Sequence, residues 1–465
     1  MSRYSTMRGF FHRAISLRPM RLAALTAATA AATLAAGACT PSDFLQVTDP
    51  DIINPGDVAS PAGANAIRLG AIARLNSATT GGESLLLLGG LFADEWNNGD
   101  SFIARQEIDQ RTITPQNNFL TDANRALHRA RLSAAQAVEL LRQYNPTAPT
   151  WQAAEMYFVQ AYVENLAAEH YCSGLVFSSV ANGAEVYGRP LTTAEAYAQA
   201  LAHADSGLAL VTGTTADANR VRGALQVTRG RILLNLNRPA DAATAVNGVA
   251  TNFQYLMYHS LVTNINQYWN FNNLAGRYSV STNEGTNGLN FATANDPRVP
   301  VCLGGDVACR AINVTKATRD DLTAPYYVQR LWTTQESPIA IVSGAEARLI
   351  EAEAQLRSGN STTSLGTLNT LRGTFSLPAL TDAGTDAARV NQLFRERALT
   401  LFGRGTRTGD MRRLIRQYGR AANTVFPTGA WHKGGNYGSD VTLPLPLAEQ
   451  NNPTPGAGVC IDRNA

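Results

Sequence analysis

Ala224-Leu-Gln-Val-Thr-Arg-Gly-Arg-Ile-Leu-Leu-Asn-Leu-Asn-Arg-Pro-Ala-Asp-Ala-Ala243 reads as two helices and the turn between them. Small residues stand where two helices would cross, Asn237-Arg238-Pro239 makes a tight turn, and an Ala-rich helix follows. Working outward, Thr193–Val211 and Asn219–Leu236 form a helical hairpin, continued by Pro239–Ala250. A similar pairing returns at Ser343–Ser358 and Ser361–Arg372. Towards the N-terminus, Ala62–Ala78 has helical apolar spacing. So does Asn118–Tyr144, where Leu127, Leu132, Ala135, Val138 and Leu141 recur at three and four. Pro146 and Pro149 end that helix, and Thr150-Trp151 starts another that runs to about His170.

The unit around Ala224 resembles a tetratricopeptide repeat. A single helix pair cannot bury its apolar face, so such pairs stack. The expected fold is mainly α: a tetratricopeptide-like superhelix of helical hairpins carrying long irregular ligand-binding loops. Two helical blocks, residues 61–250 and 340–418, flank an insert at 251–338 rich in Asn, Gly, Tyr and Thr. About 90 residues is too long for a linker inside a compact domain, so the insert is expected to be functional or to hold short strands. The Gly- and Pro-rich tail, 419–465, carries no helix signal. Residues 61–465 are read as one domain, although the length also allows two or three smaller ones.

The N-terminus reads as an export signal. Arg3, Arg8, Arg13, Arg18 and Arg21 precede Leu22–Ala38, an uncharged run ending in small residues before Cys39. That places a signal peptide at 1–38, a lipid on Cys39 and a polar tether over 39–60. Ala36 stands where a lipidation signal usually has Leu, with Leu34 two residues further back. A retained membrane helix is the alternative, but 17 residues, mostly Ala and Thr, fall short of the roughly 20 that span a bilayer. Plain secretion is the other.

The chain has 39 basic and 36 acidic side chains. Losing the five signal arginines leaves 34 basic against 36 acidic, a net −2. Nucleic acid is therefore not an expected partner, because it needs clustered positive charge. Four cysteines remain after Cys39, an even number that allows two disulfides in an exported protein. Cys302 and Cys309 close a short Gly-containing loop and are the favoured pair. Cys172 with Cys460 follows by elimination. No CxxC occurs, and His170 beside Cys172 is a lone pair of ligand types, so no metal site is expected.

Four stretches, in order, resemble the SusD/RagB family of nutrient-binding lipoproteins. Asp43-Phe44-Leu45-Gln46-Val47 resembles its opening D-F-L-x-V. Glu346–Leu356 resembles its signature helix. Glu396-Arg397 with Gly405, Arg407, Asp410, Met411, Arg412 and Arg413 resembles its late E-R…G-x-R-x-x-D-L-R-R. Pro444–Pro453, including Pro446, Glu449 and Asn452, resembles its closing P-x-P-x-x-E-x-x-x-N-P. The match departs at Thr400 and Arg404, where the family usually has acids, and at Thr408 and Gly409, where it usually has aromatics. The resemblance implies a lipid-anchored protein on the outer face of the outer membrane. It implies a SusC-like, TonB-dependent β-barrel partner and an oligosaccharide or peptide ligand. The motif residues themselves are expected to be structural. Arg348, Glu351 and Glu353 would pair along a helix, and Arg407 with Asp410 would fix the turn at Gly405.

Sugars are held by aromatic faces and a few orienting polar groups. Leu91–Phe102 has that composition, and Trp96, Asn97, Asn98 and Asp100 are its candidate contacts; core packing of Trp96 and Phe102 is the competing reading. Gln267–Tyr278, in the insert, contributes Tyr268, Trp269, Asn270, Arg277 and Tyr278. Tyr326, Tyr327 and Trp332 read as core, and Trp431-His432 is ambiguous.

No HExxH, P-loop or GxSxG occurs, and five scattered histidines follow the signal. Gly99-Asp100-Ser101 is a three-residue echo of one esterase nucleophile block, without its strand–turn–helix context. Asp94, Glu95 and Asp100 could supply two carboxylates for glycoside hydrolysis, or oxygen ligands for a structural calcium ion. Neither set makes an active site. The expectation is a binding protein with no cofactor, not an enzyme. A helical-repeat scaffold of the envelope that binds only proteins is the alternative.

Overall fold

Ser and Thr caps set where the helices begin. The side chains of Ser60, Thr192, Thr215, Ser343 and Thr385 each accept a backbone N–H of the first turn. At Thr192, Glu195 reaches back to complete a capping box. The computed structural model describes residues 58–181 and 184–465. The export signal, Cys39 and the tether up to residue 57 lie outside the described residues.

The first helical block holds α1 (Pro61–Thr80), α2 (Leu85–Phe92), α3 (Ile103–Gln110), α4 (Asn118–Tyr144), α5 (Thr150–His170), α6 (Thr193–Leu210), α7 (Ala216–Asn235) and α8 (Pro239–Val246). After the insert, with its single turn α9 (Val307–Arg310), come α10 (Gly344–Arg357), α11 (Ser361–Gly373), α12 (Asp386–Thr400) and α13 (Arg407–Arg416). The tail has one turn, α14 (Ala422–Val425), and a 3-10 turn at Leu447–Asn451. The fold is mainly α, built from stacked helical hairpins. Thr215 caps α7, which starts at Ala216, three residues before the expected Asn219, and Asn247-Gly248, with Gly248 at φ +78°, stops α8 early.

Strands are short and pair in twos. They are β1 (Trp96–Asn98), β2 (Leu175–Val176), β3 (Ser179–Ala181), β4 (Ala184–Val186), β5 (Pro190–Leu191), β6 (Gln254–Met257), β7 (Tyr278–Val280), β8 (Val301–Leu303), β9 (Tyr327–Gln329) and β10 (Ile339–Ser343). Antiparallel β6–β10 pairing, from Ser343↔Gln254 to Ile339↔Met257, zips the two ends of the insert together. It brings the second helical block against the first.

Gly230 shows why small residues recur in α7. A Cβ there would lie 2.6 Å from Val246 Cγ1 and 3.2 Å from Ile350 Cδ1, so α7, α8 and α10 meet at that point. Helix α5 is buried on nearly every side yet carries three acids. Each has a cationic partner, as buried charges require. Glu155 takes Arg68 at 2.8 Å and Arg220 at 2.7 Å, Glu164 has Arg131 at 3.9 Å and also bonds His203 at 2.7 Å, and Glu169 takes Arg231.

The motif residues are structural, but two pairings differ from expectation. Arg348 and Glu351 do pair along α10, at 2.8 Å. Glu353 instead accepts from Arg413 and from Tyr418, across the helical interface. Arg407 and Asp410 do not fix the Gly405 turn between them. Arg407 reaches Asp94, while Asp410 holds Arg397 and Arg413. Gly405, at φ +67°, is held by Arg231 through its carbonyl. The departures have local uses. Thr408 donates to the Gly89 carbonyl, and Arg404 to that of Ala340. Any side chain at Gly409 would strike Glu169, because a Cβ there would sit 3.0 Å from Glu169 Cδ.

Disulfides join Cys172 to Cys460 and Cys302 to Cys309. The first ties the end of α5 to the tail. No helix among the described residues is long and apolar enough to cross a membrane.

Candidate ligand-binding site

Strands β1 and β7 bring together two loops that lie far apart in sequence. Trp96 faces Val280, Asn97 faces Ser279 and Asn98 faces Tyr278. The first is the Leu91–Phe102 loop, and the second leaves a π-helical turn at Trp269–Leu274. Such turns concentrate at functional sites.

The pairing turns most of the expected contacts inward. Trp96 is 0% exposed. Its ring packs 4.8 Å from Phe402, 6.0 Å from Tyr268 and 6.3 Å from Tyr278, centroid to centroid. Tyr268 and Tyr278 are equally buried, and Tyr268 donates its hydroxyl to the Gly403 carbonyl at 2.7 Å. Asn97, Asn98 and Asp100 are buried as well. Asn97 donates to Glu284 at 2.9 Å, and Asn98 Oδ1 accepts from the Asp100 N–H at 2.7 Å. Trp96, Asn97, Asn98, Asp100, Tyr268 and Tyr278 therefore hold the loops together and present no surface to a glycan or peptide. The physical reason is charge pairing: Asp94 is drawn in by Arg407 and Asp100 by Arg105. Arg105 in turn lies over the rings of Phe102, Phe119, Phe271 and Tyr278, 5.1–5.5 Å from their centroids.

Asp94, Glu95 and Asp100 are all engaged inside the protein. Asp94 and Asp100 are committed to arginines. Glu95 is fully buried, with one oxygen on the Gly403 N–H at 3.0 Å. Burial pushes its carboxyl up to about 8, which keeps it neutral at pH 7.

Asparagines of the insert mostly satisfy backbone. Asn272 donates to the carbonyls of Tyr278 and Tyr327 and accepts from the Gln329 N–H. Asn273 and Gln329 bond side chain to side chain at 2.6 Å. An irregular segment lacks ladder partners for its peptide groups, so side-chain amides supply them. Tyr326 and Trp332 are core, and Tyr327 is half-buried.

What faces outward is a smaller set. Trp269, Asn270 and Arg277 are half-buried. Trp269 lines a groove of about 260 Å³ with Asn273, Leu274, Asn313, Thr334 and Gln335. An aromatic wall beside amides and a hydroxyl suits a sugar ring or a peptide. Leu261 and Leu274 at its rim, and Tyr258 and Val262 near them in sequence, are exposed apolar side chains. On the far side of the π-helical turn, Gly99 N donates to the Arg277 carbonyl, and the N–H groups of Asp320 and Asp321 donate to the carbonyls of Gly276 and Gly99. This three-segment platform exposes Phe102, Ile103 and Leu322, with the Arg277 guanidinium 5.5 Å from the Phe102 ring centroid. Phe102 belongs to the Leu91–Phe102 loop, and the competing reading that packs it into the core does not hold for it, because it is exposed. Ile103, Leu322 and the residues at 333–336 carried no signal beyond lying in loops.

A larger groove, about 860 Å³, runs along α1, α4, α5 and α6 beside β3. Arg74, Arg129, Arg131, Tyr157, Gln160 and His203 line it. It was not legible as a site, because its residues lie on separate helices that all read as ordinary amphipathic faces.

No protein-family model and no curated protein matches the sequence. Solved structures do match the fold. A SusD superfamily protein from Parabacteroides distasonis aligns over 84% of this chain and 97% of its own, at 13% identity and TM-score 0.63. A SusD/RagB family protein from Bacteroides thetaiotaomicron aligns over 76% and 87%, at 16% identity and TM-score 0.55. A SusD-like carbohydrate binding protein from Bacteroides vulgatus aligns over 76% and 83%, at 14% identity and TM-score 0.53. The chain has the SusD/RagB-type fold.

Proposed function

We propose that this protein is a nutrient-binding lipoprotein of the outer membrane, anchored through Cys39, that passes its ligand to a SusC-like, TonB-dependent β-barrel. The observation that carries the reading is the SusD/RagB-type fold over more than four-fifths of the chain. One neighbour of that fold is a carbohydrate binding protein. An oligosaccharide is the favoured ligand and a peptide the second. Trp269 and its amide-lined groove supply the surface, and Phe102 with Arg277 supply a second contact across the π-helical turn. Binding rather than catalysis fits the acids, which are neutral or locked to arginines.

A glycan and peptide array probed with residues 40–465 tests the ligand. Binding of a glycan or peptide class that is lost in Trp269→Ala supports the reading, and no binding to any class counts against it. Affinity capture of the native protein from membranes tests the partner; recovery without a large barrel would remove the delivery step. The cationic helical groove favours a second reading, a scaffold that binds only proteins. That reading gains if Arg74→Ala/Arg129→Ala abolishes partner capture while the arrays stay blank.

A further inference from the structure

Twelve buried carboxylates occur among the described residues, and nine lie within 4.0 Å of an arginine. The exceptions are Glu95, Asp109 and Glu284. Glu95 stands apart from the other two, whereas Asp109 and Glu284 face each other and His432. One ligand-type atom from each of these three lies within 4.8 Å of the others. His432 Nδ1 is 3.6 Å from Asp109 Oδ2 and 3.9 Å from Glu284 Oε2. A tetrahedral ion about 2.0–2.2 Å from each ligand holds its ligands roughly 3.3–3.6 Å apart, so a small closure would complete the set.

Asn97 makes the second, independent observation. It is 4% exposed, its amide nitrogen sits 2.9 Å from Glu284 Oε1, and its Oδ1 has no hydrogen-bond partner among the described residues. Turning that amide over exchanges the two atoms. The orphaned oxygen would then stand beside the Glu284 carboxyl, where a shared cation or a proton on Glu284 makes it favourable.

The surroundings are those of a supported metal site. Asp109 Oδ2 accepts from the Asn98 N–H at 3.0 Å and the Trp431 indole at 3.1 Å. Tyr437 donates to Glu284, and His432 Nε2 lies 3.0 Å from the Asn98 carbonyl, which leaves Nδ1 for the cluster. Arg319 and Lys433 also face this region. Lys433 pairs with Asp321 at 2.5 Å, while Arg319, whose charge reaches both Asp109 and Glu284, bonds Thr323 at 3.4 Å and leaves its Nε without a partner among the described residues.

We propose that Asp109, Glu284 and His432, with Asn97 as a fourth ligand, hold one divalent transition-metal ion, Zn²⁺ or a close relative. The mixed oxygen and imidazole set favours such an ion over calcium or magnesium. The ion would fasten the tail loop 429–438 to the insert and to α3, beside the platform that carries Phe102 and Arg277.

Titration calorimetry on the metal-stripped whole chain with ZnCl₂, MnCl₂ and CaCl₂ tests this. One Zn²⁺ site is expected in the parent protein. His432→Ala and Glu284→Gln should each weaken it by about 100-fold, while His203→Ala, a histidine paired with Glu164 elsewhere, should leave it unchanged. Zn²⁺ should also raise the melting temperature of the parent and not of His432→Ala. The proposal is overturned if the parent binds no ion more tightly than His432→Ala does. It is also overturned if CaCl₂ binds there and ZnCl₂ does not. Glu284→Gln keeps the shape and hydrogen-bonding capacity of the side chain, so it reports on the site even if His432→Ala folds poorly.

Discussion

Arg407 closes on Asp94 with two parallel hydrogen bonds of 2.7 and 2.8 Å, across 313 residues of sequence. Both side chains are buried. The pair ties the loop that leads into β1 to the first turn of α13, and Asp94 also accepts the Leu289 N–H of the insert at 2.9 Å. One carboxylate thus joins three parts of the chain. Removing one partner of such a pair leaves an uncompensated buried charge, at about 3–5 kcal/mol. Arg407→Ala should lose that much in urea unfolding. Arg407→Lys should recover little, because an ammonium cannot make the two-pronged contact. A lysine variant as stable as the parent would show that the geometry of the pair does not matter.

Glu95 and Asp410 should bend the pH dependence of stability in opposite directions. The folded Glu95 carboxyl sits at about 8 against a reference of 4.5, because burial disfavours its charge. Above pH 4.5 the unfolded chain releases a proton that the folded chain keeps, so stability falls as pH rises from about 4.5 to 8. Glu95→Gln mimics the protonated acid at every pH. It should match the parent at pH 4 and exceed it at pH 8 by on the order of a few kcal/mol. For Asp410, burial pushes upward, but Arg397 and Arg413 outweigh it and hold the carboxyl at about 2. Its contribution is complete above 3.8 and is lost as pH falls toward 2. Thermal melts of Glu95→Gln from pH 4 to 8 that run parallel to the parent would refute the first assignment.

Gly230 should resist even alanine. Alanine gains about 1 kcal/mol of helix propensity over glycine. Against that stands a Cβ placed 2.6 Å from Val246 Cγ1, and overpacking costs about 1–3 kcal/mol. Gly230→Ala should be destabilising alone, and less so in a Val246→Ala background, since the two sites share one space. Additive losses in that double-mutant cycle would mean α7 and α8 do not meet where described.

How much of this was legible before the structure depended on the range of the forces involved. The bounds of α4 and α5 follow from local signals, Pro149 among them, and the structure places them at Asn118–Tyr144 and Thr150–His170. The hairpin around Ala224 was legible because its turn and small residues are contiguous. The burial of Trp96 and Asp100 was not, since the groups that hold them inward come from Phe402, Tyr268 and Arg105. Composition showed that two loops were rich in aromatics and asparagine. It could not show that they pair with each other through β1 and β7, which turns those side chains into each other's core.

The Cys172–Cys460 bond should matter more than Cys302–Cys309. It closes 288 residues against seven, and chain-entropy stabilisation grows with the loop. Loss of a native disulfide costs about 2–5 kcal/mol. Cys172→Ser/Cys460→Ser should sit near the top of that range and Cys302→Ser/Cys309→Ser near or below its bottom. Equal midpoint shifts in guanidinium unfolding would argue against the ordering.

Trp96 and Trp269 should separate folding from binding. Trp96 is enclosed by Phe402, Tyr268 and Tyr278, so Trp96→Ala opens a cavity and should cost about 3–5 kcal/mol. Any loss of ligand it causes would come through the fold, and a melting curve would show it. Trp269 stands half-buried at the wall of the loop groove. Its truncation should cost little stability and weaken ligand by roughly 10- to 100-fold, as removal of an aromatic anchor does. Phe102→Ala, on the far side of the π-helical turn, separates the two surfaces further. If both outward variants bind as the parent does, ligand capture belongs to the cationic groove along α1, α4, α5 and α6. Arg129→Ala should then be the substitution that abolishes it. Calorimetry with the array-identified ligand, run beside urea unfolding of each variant, distinguishes these outcomes.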